Sequence, residues 1–209
     1  MGNKFSVSEE NGLNKIEDKD INILSVGVST GGFAEVKMLS GNPNRKVVAT
    51  TIDEKGLSDK IQIKIEDVSQ PMPYVDDFFD FIYARLVLHY LDREQLRFAL
   101  QELNRILKAN GKLYIVVRSM KDVAVTLEDT VYNSENGLYK HADYRTIGTD
   151  NVQYVYRSFY SEESMKSFLE VASFSVDYIK EYEEQLFVDY ERKELALKPS
   201  WVLECLARK

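Results

Sequence analysis

The stretch Gly27-Val28-Ser29-Thr30-Gly31, within ILSVGVSTGG, is spaced for either of two chemistries. Read as G-x-S-x-G, it sets Ser29 on a sharp turn as a hydrolytic nucleophile. Read as a glycine turn after a strand, it lets the backbone approach a nucleotide, because Gly27 and Gly31 tolerate positive φ and carry no Cβ. The groups that could complete a site are few. Asp53 and Asp67 follow β-branched runs and can accept hydrogen bonds, Arg85 ends an apolar run, and the two imidazoles are His89 and His141. The hydrolase reading is poorly supported: a nucleophile elbow follows several strands and works with an HGGG-type oxyanion loop, whereas this motif follows the first strand and no such loop is present.

Apolar periodicity shows the elements that must position these residues. INILSV reads as a short buried strand, and Phe33, Val36 and Leu39 then recur at helical spacing until Gly41-Asn42-Pro43 stops the helix. KVVATTI, IQIKI and DFIYARL read as the second, third and fourth strands. A parallel crossover needs about a dozen residues, so residues 53–60 hold at most a turn or two of helix. Asp92 with Gln95 marks a helix start, and Leu96, Leu100, Leu103, Ile106 and Leu107 form its apolar stripe, ending at Asn110-Gly111. KLYIVV is the fifth strand, and residues 120–156 read as a polar, tyrosine-rich insertion over the sheet edge. Ser161-Glu162-Glu163 opens a last helix, and FSVDYI and WVLECLA close the chain as strands. Strands alternating with helices imply one α/β domain with a mainly parallel sheet, preceded by a polar segment over residues 1–20.

Taken in order, ILSVGVSTGG, KVVATTIDEKG, IKIEDVSQPMPY, DDFFDFIYARLVLHYL and QELNRILKANGKLYIVV resemble the successive motifs of the class I S-adenosylmethionine-dependent methyltransferases. The resemblance implies a seven-stranded, doubly wound, Rossmann-like sheet of order 3-2-1-4-5-7-6 with the last strand antiparallel, and S-adenosyl-L-methionine as cofactor. In an open parallel sheet, ligands bind beyond the carboxyl ends of the strands at a switch point. The expected cofactor-binding residues are therefore Ser25, Gly27, Ser29 and Gly31 after strand one, Thr51 and Asp53 after strand two, Asp67 and Val68 after strand three, and Arg85 after strand four. Asp53 would accept from ribose hydroxyls, and Asp67 with the Val68 amide would meet an adenine edge. For Arg85, a salt bridge to Asp67 or Glu66 is the alternative.

The chain departs from the pattern in several places. Ser25 stands where the first motif usually carries an acid, and Ser29 where it carries a glycine. Thr51 occupies the place of the second-strand acid, with Asp53 two residues on and so on the same strand face. The second crossover is short, and Ala109-Asn110-Gly111 replaces the usual P-G-G turn. A lost charge-assisted hydrogen bond costs about 1.5–3 kcal/mol, roughly ten- to a hundredfold in affinity.

A net charge of −7 and a pI near 5.0 argue against a nucleic-acid partner. No signal-peptide core opens the chain and no apolar run nears the roughly 18 residues of a membrane helix, so a soluble, cytoplasmic protein without a membrane partner is expected. Met1-Gly2-Asn3-Lys4-Phe5-Ser6 fits only the loose N-myristoylation pattern. Cys205 is the single cysteine, which excludes a disulfide framework or a cysteine metal cluster within the chain, and no metal is expected. Two functions stay open. One is a small-molecule methyltransferase whose substrate sits under residues 120–160, beside Tyr132, Tyr139, Tyr144, Tyr154, Tyr156 and Tyr160, with His89 the best candidate for a base. The other is a binding or regulatory protein that keeps the fold but has a degenerate cofactor site. The methyl acceptor and the oligomeric state are not legible in the sequence.

Overall fold

The computed structural model describes residues 5–28, 32–51, 61–143, 151–187, 192–196 and 198–209. In chain order the elements are α1 (Val7–Leu13), β1 (Asn22–Val26), α2 (Phe33–Met38), β2 (Lys46–Thr51), β3 (Ile61–Ile65), β4 (Phe79–Arg85), α3 (Arg93–Ile106) and β5 (Leu107–Arg118). There follow β6 (Val131–Tyr132), β7 (Tyr139–Ala142), β8 (Tyr154–Arg157), α4 (Glu162–Val171), β9 (Ser175–Glu184) and β10 (Ser200–Arg208).

Seven strands form one sheet of order β3-β2-β1-β4-β5-β10-β9. The first five run parallel, with Ser25 of β1 opposite Ala49 of β2 and Tyr83 of β4. β10 is antiparallel to both β5 and β9, so it is the reversed seventh strand that the sequence implies. Central strands buried on both faces read as unbroken apolar runs rather than alternating ones, as in LYIVV. Alternation still sorts their side chains. Leu24, Ile82, Leu113 and Leu203 face α3 and α4, whereas Ile23, Phe81, Tyr83, Tyr114 and Val116 face α1 and α2.

α3 forms as its sequence predicts. Asp92 accepts from the Gln95 amide at 2.8 Å while Gln95 Oε1 accepts from the Asp92 amide at 3.0 Å, which closes the capping box. Its stripe of Leu96, Leu100, Leu103 and Ile106 is fully buried, each side chain contributing about 1.5–3 kcal/mol. The helix ends at Ile106, short of Asn110-Gly111, because Leu107 already pairs with Phe79 in the sheet. Asn110 makes the reversal with φ 62, and a Cβ on Gly111 would lie 2.7 Å from Leu107.

Two features differ from the sequence expectation. The segment read as merely polar contains α1, which carries almost no apolar stripe and buries Ser8, Glu9 and Gly12 instead. Polar contacts hold it. The Ser8 amide and hydroxyl donate to Glu184 at 2.5 and 2.7 Å, and Tyr114 donates to the Ser8 carbonyl at 2.6 Å. Gly12 lets the helix lie on the stacked rings of Tyr83 and Tyr114, where a Cβ would come within 2.6 and 2.5 Å of them. The insertion after β5 contains a separate antiparallel sheet of order β6-β7-β8. Among the described residues no helix is long and apolar enough to cross a membrane.

Candidate active site

β1 and β4 are adjacent, and the chain leaves them toward β2 on one side and β5 on the other, so the crevice beyond their carboxyl ends is the switch point. Gly27 turns out of β1 with φ 79. A Cβ there would meet Val87 at 3.2 Å, so both conformation and space call for glycine. Its amide donates to Thr50 Oγ1 at 3.3 Å.

Ser25 is buried beneath this turn. Its hydroxyl donates to Glu35 Oε1 at 2.8 Å, with the Gly27 carbonyl at 3.2 Å. Glu35 is fully buried and sits in the first turn of α2, where the helix dipole favours negative charge. A carboxylate therefore does stand at the end of β1, supplied by the following helix.

The remaining expected residues are distributed unevenly. Ser29, Gly31 and Asp53 lie outside the described residues. Thr51 ends β2 opposite Ile65. Asp67 stands exposed after β3, where its carboxylate accepts from the Ser69 amide at 2.8 Å. Val68 is buried in the core on the α3 side. The neighbouring turn is fastened to α3: the Met72 amide donates to Glu102 at 3.0 Å, and Arg105 donates to the Met72 and Tyr74 carbonyls. Tyr74 in turn donates to Glu66 at 2.6 Å.

Arg85 pairs with neither Asp67 nor Glu66. It shares the strand face of Phe81 and Tyr83, so its guanidinium points at α1 and donates to Ser8 Oγ and Ser6 Oγ at 2.6 Å each and to Glu184 at 3.2 Å. Close by, Arg192 donates to both oxygens of Glu9 at 2.7 Å, with both side chains buried. The Arg192 guanidinium also lies over the rings of Phe33 at 4.9 Å, Phe5 at 5.9 Å and Phe187 at 5.9 Å. Burial pushes the Glu9 carboxyl up, but the charges of Arg85 and Arg192 outweigh it and hold the group below its ordinary value. This network joins the N-terminal segment, the start of α2 and the connection between β9 and β10. It was not anticipated from the sequence, although the Ser6-x-x-Glu9 capping pattern was there to be found.

His89 is buried in a 3-10 turn after β4. Burial, then the charges of Arg118 and Arg157, hold its pKa well below the ordinary value. It is a neutral and weakened base, poorly matched to proton transfer near pH 7. Of the tyrosines, Tyr132 and Tyr139 pack at 4.6 Å and, with Phe159 and Tyr160, line a cavity of about 320 Å³. Tyr154 and Tyr156 are exposed, and Tyr144 lies outside the described residues. Among the described residues no cluster of His, Cys, Asp and Glu is arranged to hold a metal.

Residues 24–115 match the family model described as a methyltransferase domain. The chain has the class I methyltransferase fold. A S-adenosylmethionine-dependent methyltransferase from Methanosarcina mazei superposes with TM-score 0.68 at 19% identity, over 94% of this chain and 95% of that one. One from Mesorhizobium loti gives 0.63 at 15%, over 97% and 98%. The Burkholderia thailandensis 1,6-didemethyltoxoflavin-N1-methyltransferase, solved with bound 1,6-didemethyltoxoflavin and S-adenosylhomocysteine, gives 0.63 at 14%, over 97% and 78%. No curated protein matches by sequence. Within the methyltransferase fold, the Gly27 turn follows β1, and Arg85 is bonded to Ser6 and Ser8 of the N-terminal segment.

Proposed function

We propose that the protein is an S-adenosylmethionine-dependent methyltransferase acting on a small molecule. The observation that carries this reading is the Gly27 turn: a left-handed glycine at the switch point, over a buried carboxylate, inside the segment that matches a methyltransferase domain. These residues fit the cofactor. Gly27 gives the chain its left-handed turn at the switch point, and the exposed Asp67 carboxylate beyond β3 can accept from an amine. Thr51 and Asp53 are assigned to the ribose side, and Ser29 and Gly31 to the remainder of the loop.

S-adenosylmethionine, when bound, supplies the methyl group on its sulfonium. The chain contributes position and water exclusion, since bringing a nucleophile into line is the larger part of such catalysis. Residues 120–160 act as the substrate cap. Glu35, fully buried, holds the end of β1 through Ser25, which supports a formed site over a degenerate one.

Isothermal titration with S-adenosylmethionine and S-adenosylhomocysteine tests the reading. A saturable heat for both is expected, at least tenfold weaker in Gly27→Val. Absence of heat and of any thermal shift at millimolar ligand would refute it.

A further inference from the structure

A second cavity, of about 260 Å³, opens where β5 hands the chain to the insertion. Val123, Leu127 and Pro199 give it apolar walls, yet Arg118, Arg157 and His141 also line it. Arg118 is occupied by Asp122, to which it donates at 3.0 Å. Arg157 is different. It is only 7% exposed, its Nε has no hydrogen-bond partner, and among the described residues no carboxylate pairs with it; its contact is the ring of Tyr90 at 5.4 Å. A buried cation without a counter-charge is costly and calls for an anion.

His141 adds a second demand. It is 1% exposed, and its Nδ1 lies 3.0 Å from the Ala142 carbonyl, which can only accept, so the neutral ring carries its hydrogen there. Nε2 is then an acceptor, and it has no partner. The charges on the wall also bear on the ligand. Arg118 and Asp122 cancel and Lys198 is exposed at the rim, which leaves one buried positive charge. A single charge suits a monoanion better than a phosphate.

We infer that this cavity binds a small apolar monocarboxylate that also carries a hydroxyl or amine hydrogen, with its carboxylate on Arg157 and its donor on His141. Resting on the methyltransferase reading, the ligand is the methyl acceptor and the carboxylate its handle. Binding itself does not depend on that reading and is measured without cofactor.

The probes are 4-hydroxyphenylacetate, its neutral analogue 4-hydroxyphenylacetamide, and inorganic phosphate, followed by ligand-observed NMR and thermal shift on the full chain. The acid is expected to bind saturably and the amide at least tenfold more weakly. Arg157→Met should abolish acid binding while raising the melting temperature of the ligand-free protein, because an unpaired buried charge has been removed. Equal binding of acid and amide, tighter binding of phosphate, or an Arg157→Met protein that is destabilised or unfolded would each overturn the assignment. A parallel titration with S-adenosylhomocysteine separates the two readings: acid binding without cofactor binding sinks only the methyltransferase assignment.

Discussion

The hydroxyl of Ser25 and the carboxylate of Glu35 join two elements beneath the Gly27 turn, at a position where the first motif usually carries an acid on β1. Side-chain identity at position 25 was legible in the sequence, but its consequence was not, because Glu35 reaches the site only when α2 folds back over β1. The arrangement makes a prediction. Ser25→Asp should place a second carboxylate against a fully buried one and destabilise the protein by more than about 2 kcal/mol. Combining it with Glu35→Gln should recover most of the loss, as read by urea denaturation of the four proteins of the cycle. Additive losses would mean that the two side chains are not coupled. Arg85 teaches the complementary lesson: an arginine at a strand end beside a ligand crevice can be turned by strand parity toward structure rather than ligand.

Helix α3 was readable because its stripe and its cap agree, and α1 was not because a helix held by polar contacts gives no hydrophobic period. For α3, Asp92→Ala should cost about 1 kcal/mol in urea denaturation, and Leu100→Ala about 2–5 kcal/mol. For α1 the expected signature is pH dependence. Glu9 has its folded-state pKa held below the unfolded value near 4.3. Its contribution is therefore full above that value and is lost as pH falls through the lower folded one. The urea midpoint should drop between about pH 5 and pH 3. In Glu9→Gln the midpoint should already be lower at pH 7, with a shallower drop in acid; an unchanged slope would show that Glu9 is not responsible.

Strand order was the most legible property of the whole molecule, since five motifs in sequence constrain a parallel sheet far more than any one of them. The small sheet of the insertion was not legible. β6 is two residues long and β7 four, and β6 and β8 expose Val131, Tyr132, Tyr154 and Tyr156, so no apolar alternation marks them. The clustering of Arg118, His141 and Arg157 was hidden for a related reason. These residues come from β5, β7 and β8 and meet only through the tertiary fold.

β10 lies between β5 and β9 and pairs with both. During synthesis β9 leaves the ribosome with no neighbour to pair with, and the sheet closes only after the β10 residues follow. Cys205, the sole cysteine, is at the middle of that strand and fully buried, opposite Ile115 and Ile179. Its thiol thus serves as a natural clock for the final step of assembly. In a refolding experiment pulsed with a thiol reagent, labelling of Cys205 should persist after α3 has regained its circular dichroism and stop only when the last two strands dock. Loss of labelling in step with the helix signal would show instead that the sheet closes in one event.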